Sequence, residues 1–305
     1  MKKYLLLLFC FFSIPFFGQQ LPQSSLYFIN DLALNPAVAG SKEYIPILLS
    51  HRTQWANFKN APSTQMFSAH GTISKMGIGL QASNFTAGPT GIISVQLAYS
   101  YKVKLNEKNT LSLGLAPMYM QYALAKEKIK LDETNDLTFG RVNSRTSIAD
   151  CNTGLYFQGK NYSAGISALQ LLGSKFRTGD SLSNERLRRH FALSATYDFK
   201  LNERMVMSPV VIAKAIESGA PYQVDGTVKF MYDNSFWAGL GYRASFNNQP
   251  NDAAIVCIGL QRSGFVFAYA FDYSLNTISS YSYGSHELLL SYRLSGKKAE
   301  SKPMN

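Results

Sequence analysis

The sequence predicts an all-β fold, namely a transmembrane antiparallel outer-membrane β-barrel of about 14 strands. Two observations predict it. Roughly fourteen short runs alternate apolar and polar residues, as strands do when one face meets lipid and the other faces a lumen. The connections between these runs alternate between tight ones, such as Ser74-Lys75, and long ones, such as 123–149 and 170–188. A barrel whose strand ends face two compartments produces this alternation, since only one end carries long loops.

Residues 1–18 have the pattern of a signal peptide. Lys2 and Lys3 form a charged region, the apolar stretch 4–17 is too short to span a bilayer, and Gly18 offers a small residue for cleavage. We therefore expect an exported protein that resides in the outer membrane. The formal charge of +11 comes from Lys and Arg residues that are scattered rather than clustered, so no nucleic-acid partner is expected.

Residues 19–43 depart from the strand pattern and are expected to form a periplasmic segment that leads into the barrel. The segment is rich in Asn, Pro and small residues. Asn35 precedes Pro36, and a following proline disfavours the helical backbone conformation at Asn35. The pair therefore predicts the start of a turn. Gly40 permits a left-handed or tight step into the first strand.

The barrel is predicted over 44–294, followed by a polar tail over 295–305. In the run 92–104, the odd-numbered residues are all Ile, Val, Leu or Tyr, whereas the even-numbered residues from Ser94 onward are small or polar. This period of two extends over a membrane-spanning length. The predicted strands are 44–54, 64–73, 76–85, 91–104, 110–122, 150–159, 162–169, 189–201, 204–214, 222–232, 235–244, 253–261, 264–274 and 285–294.

A soluble β-sandwich would alternate as well, but strands in soluble proteins are usually about 5–6 residues long, and several runs here reach about 10–13. Aromatic residues also gather at run ends, as at Tyr99, Tyr101 and Tyr197, where the interfacial girdle of a barrel lies. The barrel is therefore the favoured interpretation. Leu97 and Phe267, in the middle of their runs, are expected to face lipid.

The sequence contains no motif of a catalytic or metal site. The four histidines fall on separate runs, and no HExxH, GxSxG or CxxC pattern occurs. Asp132, Glu133 and Asp136 form an acidic cluster in a long loop, but the ligand spacing of an EF-hand is missing. We therefore expect no enzymatic activity, no cofactor and no metal ion. Cys151 and Cys257 either form a disulfide or are small buried apolar residues.

The charged residues at inward positions leave two alternatives open. The cations either make a lumen that attracts anions, or pair with inward carboxylates and fill a closed interior. The cations are Lys102, Lys104, Lys200, Lys229 and Arg243, and the carboxylates are Asp198, Asp225 and Asp272.

Several short segments carry a family resemblance. They are Gln19-Gln20, the aromatic-rich 26–30, Asn35-Pro36-Ala37, Ala39-Gly40, Arg52, Gln54, Trp55, Ala61-Pro62 and the closing Ser285-His286-Glu287. In these segments the chain resembles the PorP/SprF family of outer-membrane proteins in Bacteroidetes, which belong to the type IX secretion system. Asn35, Pro36, Gly40, Arg52, Trp55 and Pro62 are interpreted as structural residues that shape the way into the barrel.

The resemblance implies a non-enzymatic barrel that supports the export or surface attachment of cargo carrying a type-B C-terminal sorting domain, gliding adhesins among them. The implied partners are that cargo, other type IX secretion components and outer-membrane lipid. The alternative is an outer-membrane channel or transporter for small or hydrophobic molecules, and a barrel enzyme is a third hypothesis. The sequence identifies neither the cargo nor the residues that contact it.

Overall fold

The computed structural model describes residues 21–129, 145–176, 185–217, 222–246 and 251–295. The expected signal peptide, the acidic cluster at Asp132, Glu133 and Asp136, and the tail beyond Ser295 lie outside the described residues. No helix in the described part of the chain is long and apolar enough to cross a membrane.

The described residues form a closed antiparallel barrel of 14 strands, which confirms the predicted fold class. Each strand pairs with its neighbours in sequence, and the first strand pairs with the last to close the ring. The strands are β1 Tyr44–Thr53, β2 Ser63–Ile73, β3 Met76–Ala87, β4 Thr90–Lys104, β5 Thr110–Leu124, β6 Arg145–Gln158, β7 Tyr162–Leu169, β8 His190–Tyr197 continuing as Phe199–Lys200, β9 Met205–Ile216, β10 Tyr222–Tyr232, β11 Phe236–Phe246, β12 Asn251–Arg262, β13 Phe265–Ser274 and β14 Ser285–Ser295.

The largest difference from the predicted strand boundaries is at the start of β6, which begins at Arg145 and not at residue 150. The first residues of β6 pair with the end of β5, where Thr146 lies opposite Tyr122. In this stretch the exposed positions are polar, as at Arg145 and Ser147, whereas Ile148 is buried. In this stretch the outward face is polar and the inward face carries an apolar residue, which is the reverse of a lipid-facing strand. A pattern of apolar outward residues therefore does not predict a strand here.

The alternation places apolar residues on the outer wall and small or polar residues on the inner wall. Leu97 and Phe267 are 58% and 54% exposed, whereas the adjacent Gln96 and Ala268 are 6% and 5% exposed. Each neighbour in sequence therefore faces the opposite side of the sheet, as the period of two requires.

The two ends of the barrel differ in their connections. At one end the turns are tight, and Asp233 and Asn234 both adopt positive φ angles, 52° and 50°, between β10 and β11. Paired positive φ angles are typical of the type I′ turn, which matches the twist of adjacent strands. The long connections lie at the opposite end, and one of them contains a small hairpin of Lys175–Phe176 with Glu185–Arg186. We call these the tight-turn end and the long-loop end.

The lumen contains the chain's own residues 21–43, which precede β1 and which we call the plug. Leu26, Leu32 and Val38 of the plug are at most 2% exposed. The plug contains two short 3₁₀ turns, Asp31–Ala33 and Pro36–Val38. Burying each large aliphatic side chain contributes about 1.5–3 kcal/mol, so the interior is a packed core. Cys151 and Cys257 are both free, so the disulfide alternative does not hold.

Candidate functional site

Glycines in the barrel wall make room for the plug. A Cβ atom at Gly77, in β3, would overlap the carbonyl of Ala39, and one at Gly114, in β5, would overlap the backbone of Ala37. The plug backbone therefore lies so close to the inner wall at β3 and β5 that only glycine fits at these two positions.

Asn35 and Pro36 form a turn that is attached to the wall. The Asn35 side-chain oxygen accepts a hydrogen bond from the Ala37 N–H at 2.9 Å and caps the 3₁₀ turn that starts at Pro36. The Asn35 amide nitrogen donates to the Leu155 carbonyl at 2.9 Å, on β6. Ser167, on β7, donates to the neighbouring Leu34 carbonyl at 2.6 Å. The turn expected at Asn35-Pro36 thus connects the plug to two strands.

Gly40 lies where the plug passes along the wall near the tight-turn end. Its φ is +66°, and a Cβ atom there would come within 2.7 Å of the Gly71 carbonyl. The Gly40 N–H donates to His70 Nδ1 at 3.0 Å, and its carbonyl accepts from Thr72 Oγ1 at 2.6 Å and from Lys102 Nζ. Position 40 therefore requires glycine both for its backbone conformation and for space.

Six charged side chains from six strands form a buried charge cluster. Arg52 on β1 donates to Asp272 on β13 at 2.7 Å and to Glu287 on β14 at 3.3 Å. Arg243 on β11 donates to Asp272 at 2.7 Å and to Asp225 on β10 at 2.9 Å. Lys214 on β9 donates to Asp225 at 3.1 Å. The members of the buried charge cluster are Arg52, Lys214, Asp225, Arg243, Asp272 and Glu287.

Ser25 of the plug lies in the middle of the buried charge cluster. Its hydroxyl donates to Asp272 at 2.7 Å and accepts from Arg52 at 3.2 Å and from Arg243 at 2.9 Å. Its backbone N–H donates to Glu287 at 2.7 Å. Ser24 also donates to Glu287, at 2.6 Å. The plug and the closed barrel therefore share one hydrogen-bond network.

The buried charge cluster has no net charge, because its three cations face three carboxylates. Charges held in this way are tolerated away from water since each is paired and hydrogen-bonded. For Arg243 the structure thus supports the second alternative, internal pairing with Asp225 and Asp272. Of the other inward cations, Lys102 donates to the plug and Lys229 lies 5.7 Å from the centre of the Phe28 ring of the plug.

Tyr27 of the plug borders the buried charge cluster and is 3% exposed. Burial raises the pKa of its hydroxyl well above its usual value, and the nearby Asp225 carboxylate raises it further. The hydroxyl therefore stays protonated, and it lies 3.4 Å from the backbone carbonyl of Asp225, to which it donates.

Trp55 and Pro62 lie away from the plug, in the loop between β1 and β2. The Trp55 N–H donates to Ser285 Oγ at 3.1 Å, and the Pro62 carbonyl accepts from the Gln54 N–H at 2.8 Å. The Ala56 N–H donates to the Gly284 carbonyl at 2.7 Å, so this loop is joined to the β13–β14 loop. Of the six residues singled out in the sequence, the structure brings Asn35, Pro36, Gly40 and Arg52 into the lumen and leaves these two at the long-loop end.

Four members of the network were not predicted from the sequence to interact, namely Ser24, Ser25, Lys214 and Glu287. Glu287 was noticed as part of a closing motif, but its charge was not connected with that of Arg52. A usable signal was present, because ionisable residues at inward positions of consecutive strands, such as Asp272 and Glu287, must find partners when the lumen is closed.

A cavity of about 160 Å³ lies between the plug and the long-loop end. Its wall combines apolar side chains, such as Met66 and Met118, with neutral polar ones. Among the polar ones, Gln96 donates to Gln81 at 2.8 Å, and the Ser83 and Ser94 hydroxyls are 2.8 Å apart. Leu21, Pro22 and Gln23 of the plug also line it. Among the described residues, no group of three or more His, Cys, Asp or Glu side chains is arranged to hold a metal ion.

Comparison with known families gave one match. A family model described as "Type IX secretion system membrane protein PorP/SprF" matches residues 16–292, nearly the whole chain. No curated protein matches the sequence.

Comparison with solved structures found outer-membrane barrels at low identity. A TodX deltaS2S3 mutant, titled a monoaromatic hydrocarbon channel, is 11% identical with a TM-score of 0.51, over 90% of this chain and 95% of that chain. The toluene transporter TodX of Pseudomonas putida is 10% identical with a TM-score of 0.48, over 91% and 95%. A FadL homologue of Pseudomonas aeruginosa is 10% identical with a TM-score of 0.49, over 90% and 94%. At this identity the first of these likenesses shows a shared fold alone.

Proposed function

Because the chain belongs to the PorP/SprF family of type IX secretion system membrane proteins, we propose that it is a plugged barrel that holds exported cargo at the cell surface. The cargo carries a type-B C-terminal sorting domain, and gliding adhesins are one class of such cargo. The barrel itself is an outer-membrane barrel of a secretion family and not a member of an enzyme family. Other secretion components and outer-membrane lipid are its further proposed partners.

The observation that carries the proposal is the occupied lumen. A polypeptide or solute that crosses the barrel would have to displace the plug, whose Ser25, Leu26 and Ala37 are 0% exposed. Displacing Ser25 would also remove the hydroxyl that Arg52 and Arg243 share with Asp272. Unpaired buried polar groups cost about 1–3 kcal/mol each. A closed barrel with loops at one end suits attachment of cargo better than conduction.

The channel hypothesis makes an opposite prediction about conductance. In planar lipid bilayers, we expect the purified barrel to show no steady open pore, because the plug fills the lumen. A steady conductance carried by the unmodified protein would favour the channel.

Gene deletion tests the proposed function directly. Loss of the gene should remove one or a few exported proteins from the cell surface, without a broad defect in nutrient uptake. The comparison is between the surface and culture-fluid proteomes of the wild type and of the deletion strain, with a complemented strain as control. An unchanged proteome together with an uptake defect would contradict the proposal.

A further inference from the structure

The cavity at the long-loop end is lined by apolar side chains and by neutral groups that donate and accept hydrogen bonds. Six of the polar residues come from the inner wall of four strands: Gln81, Ser83, Ser94, Gln96, Asn152 and Ser245. The Lys, Arg and Glu side chains that reach the cavity, Arg52, Lys214 and Glu287, are all paired within the buried charge cluster. Among the described residues the cavity therefore offers no unpaired Lys, Arg, Asp or Glu to a charged solute.

The floor of the cavity is a stretch of plug backbone with free hydrogen-bonding groups. Pro22, Gln23 and Ser24 lie in no helix or strand and are half-buried. Within the described part of the chain, the backbone N–H groups of Gln23 and Ser24 donate to no partner. The next residue is fully engaged, since the Ser25 N–H donates to Glu287. The two residues with free N–H groups therefore line the cavity next to a firmly held residue, and a second chain could pair with backbone there.

The size and lining of the cavity favour a narrow ligand. The cavity volume of about 160 Å³ is smaller than the roughly 300–1,000 Å³ of most small-molecule sites. The cavity therefore has room only for a slender part of a larger ligand. An extended peptide presents alternating amide donors and acceptors, which match side-chain amides and hydroxyls.

A sugar would need an aromatic face to pack on, and the lining offers little. The cavity has two aromatic neighbours, Tyr27 and Phe191. Tyr27 is only 3% exposed. Phe191 is 44% exposed, and its neighbours His190 and Ala192 are buried, so the Phe191 side chain lies on the outer wall.

We propose that this cavity binds an extended, uncharged peptide segment of the exported cargo, which pairs with the plug backbone at Gln23 and Ser24. The plug closes the lumen toward the tight-turn end, so the segment enters from the long-loop end. This inference rests on the proposed function, and it identifies the inside of the barrel mouth, in addition to the loops, as the surface that contacts cargo.

Filling the cavity tests the inference. Ser245→Trp on β11 and Ser94→Trp on β4 place a large ring in the cavity from opposite walls, and neither residue belongs to the buried charge cluster. Leu240→Trp, on the same strand as Ser245 but 67% exposed on the lipid face, is the matched control. The measured quantity is the surface level of those proteins that the gene deletion removes. We expect a fall of about tenfold or more in both cavity variants and none in the control, as for loss of an interface anchor.

Heat-modifiable gel migration of each variant reports whether the barrel has assembled. If the deletion removes surface proteins but both assembled cavity variants retain them at the wild-type level, the inference is wrong and the proposed function stands. If the deletion removes no protein, the proposed function itself fails. A bound oligosaccharide, seen by native mass spectrometry on the wild-type barrel and absent from Ser245→Trp, would overturn the peptide as the ligand class.

A second pair of variants tests the backbone pairing. Gln23→Pro removes the free N–H of the plug, because proline has no backbone donor, whereas Gln23→Ala removes only the side chain. Pairing predicts that the proline variant lowers the surface level of the cargo several-fold more than the alanine variant. Equal levels in the two assembled variants would exclude backbone pairing at this position.

Discussion

Arg52 on β1 and Asp272 on β13 form a buried ion pair of 2.7 Å although 220 residues separate them in the chain. Their side chains are 4% and 2% exposed. The hydroxyl of Ser25 contacts both, at 3.2 Å and 2.7 Å. Because β14 lies between β1 and β13, this pair spans the seam where the barrel closes. Closure of the barrel and seating of the plug are therefore stabilised by the same groups.

Removing one charge from the buried charge cluster should destabilise the barrel strongly. We expect Asp272→Asn to cost about 3–5 kcal/mol, because Arg52 and Arg243 lose a shared carboxylate in a buried site. Urea unfolding of the lipid-reconstituted barrel, followed by heat-modifiable migration, measures the change. Asp233→Asn in an exposed tight turn is the control, and a change within about 0.5 kcal/mol is expected there. Equal unfolding midpoints for the two variants would contradict a stabilising role of the cluster.

Adding a methyl group to the wall opposite the plug should interfere with plug seating. In Gly114→Ala the new Cβ meets the Ala37 backbone, so we expect a cost of about 1–3 kcal/mol from overpacking. Gly226→Ala is matched in chemistry, and its Cβ meets no atom within 4 Å. Thermal unfolding of both variants gives the comparison. Similar melting temperatures would mean that the plug does not press on β5 as described.

Charged substitutions on the outer wall should destabilise the barrel in lipid. For Leu97→Arg and Phe267→Arg we expect about 2–4 kcal/mol, the cost of a cation at the middle of the bilayer. Leu97→Phe and Phe267→Leu keep the positions apolar and should cost less than about 1.5 kcal/mol. The measurement is urea unfolding in liposomes. If arginine is tolerated as well as the apolar replacements, these strands do not face the hydrocarbon.

Cysteine labelling tests the orientation in the membrane. Lys175 lies in a long-loop connection and Asn202 in a tight turn, and both are exposed. We expect Lys175→Cys to react with an impermeant maleimide on intact cells and Asn202→Cys to react only after the outer membrane is permeabilised. Both are made in a Cys151→Ala/Cys257→Ala background, which serves as the unlabelled control. The reverse pattern would place the tight-turn end outside.

Much of the barrel could be predicted from the sequence, because its cause is local. Successive residues of a strand point to opposite faces, so Leu97 faces outward and Gln96 inward independently of the rest of the chain. Tight turns are equally local, as at Asp233 and Asn234, where only residues that tolerate positive φ fit. The strand count and the membrane setting follow from these repeats, and the largest error in the predicted boundaries is the polar start of β6.

The tertiary structure decided what the lumen contains. Ser25, Arg52, Arg243, Asp272 and Glu287 are far apart in sequence, and no local pattern states which of them meet. The turn at Asn35-Pro36 was predictable, but its direction into the barrel was not, since it depends on Gly77 and Gly114 leaving space in strands that follow it. An open lumen that attracts anions and a closed lumen with paired charges are both compatible with this sequence. Only barrel closure brings Arg52 beside Asp272, and burying charges then requires that they be paired.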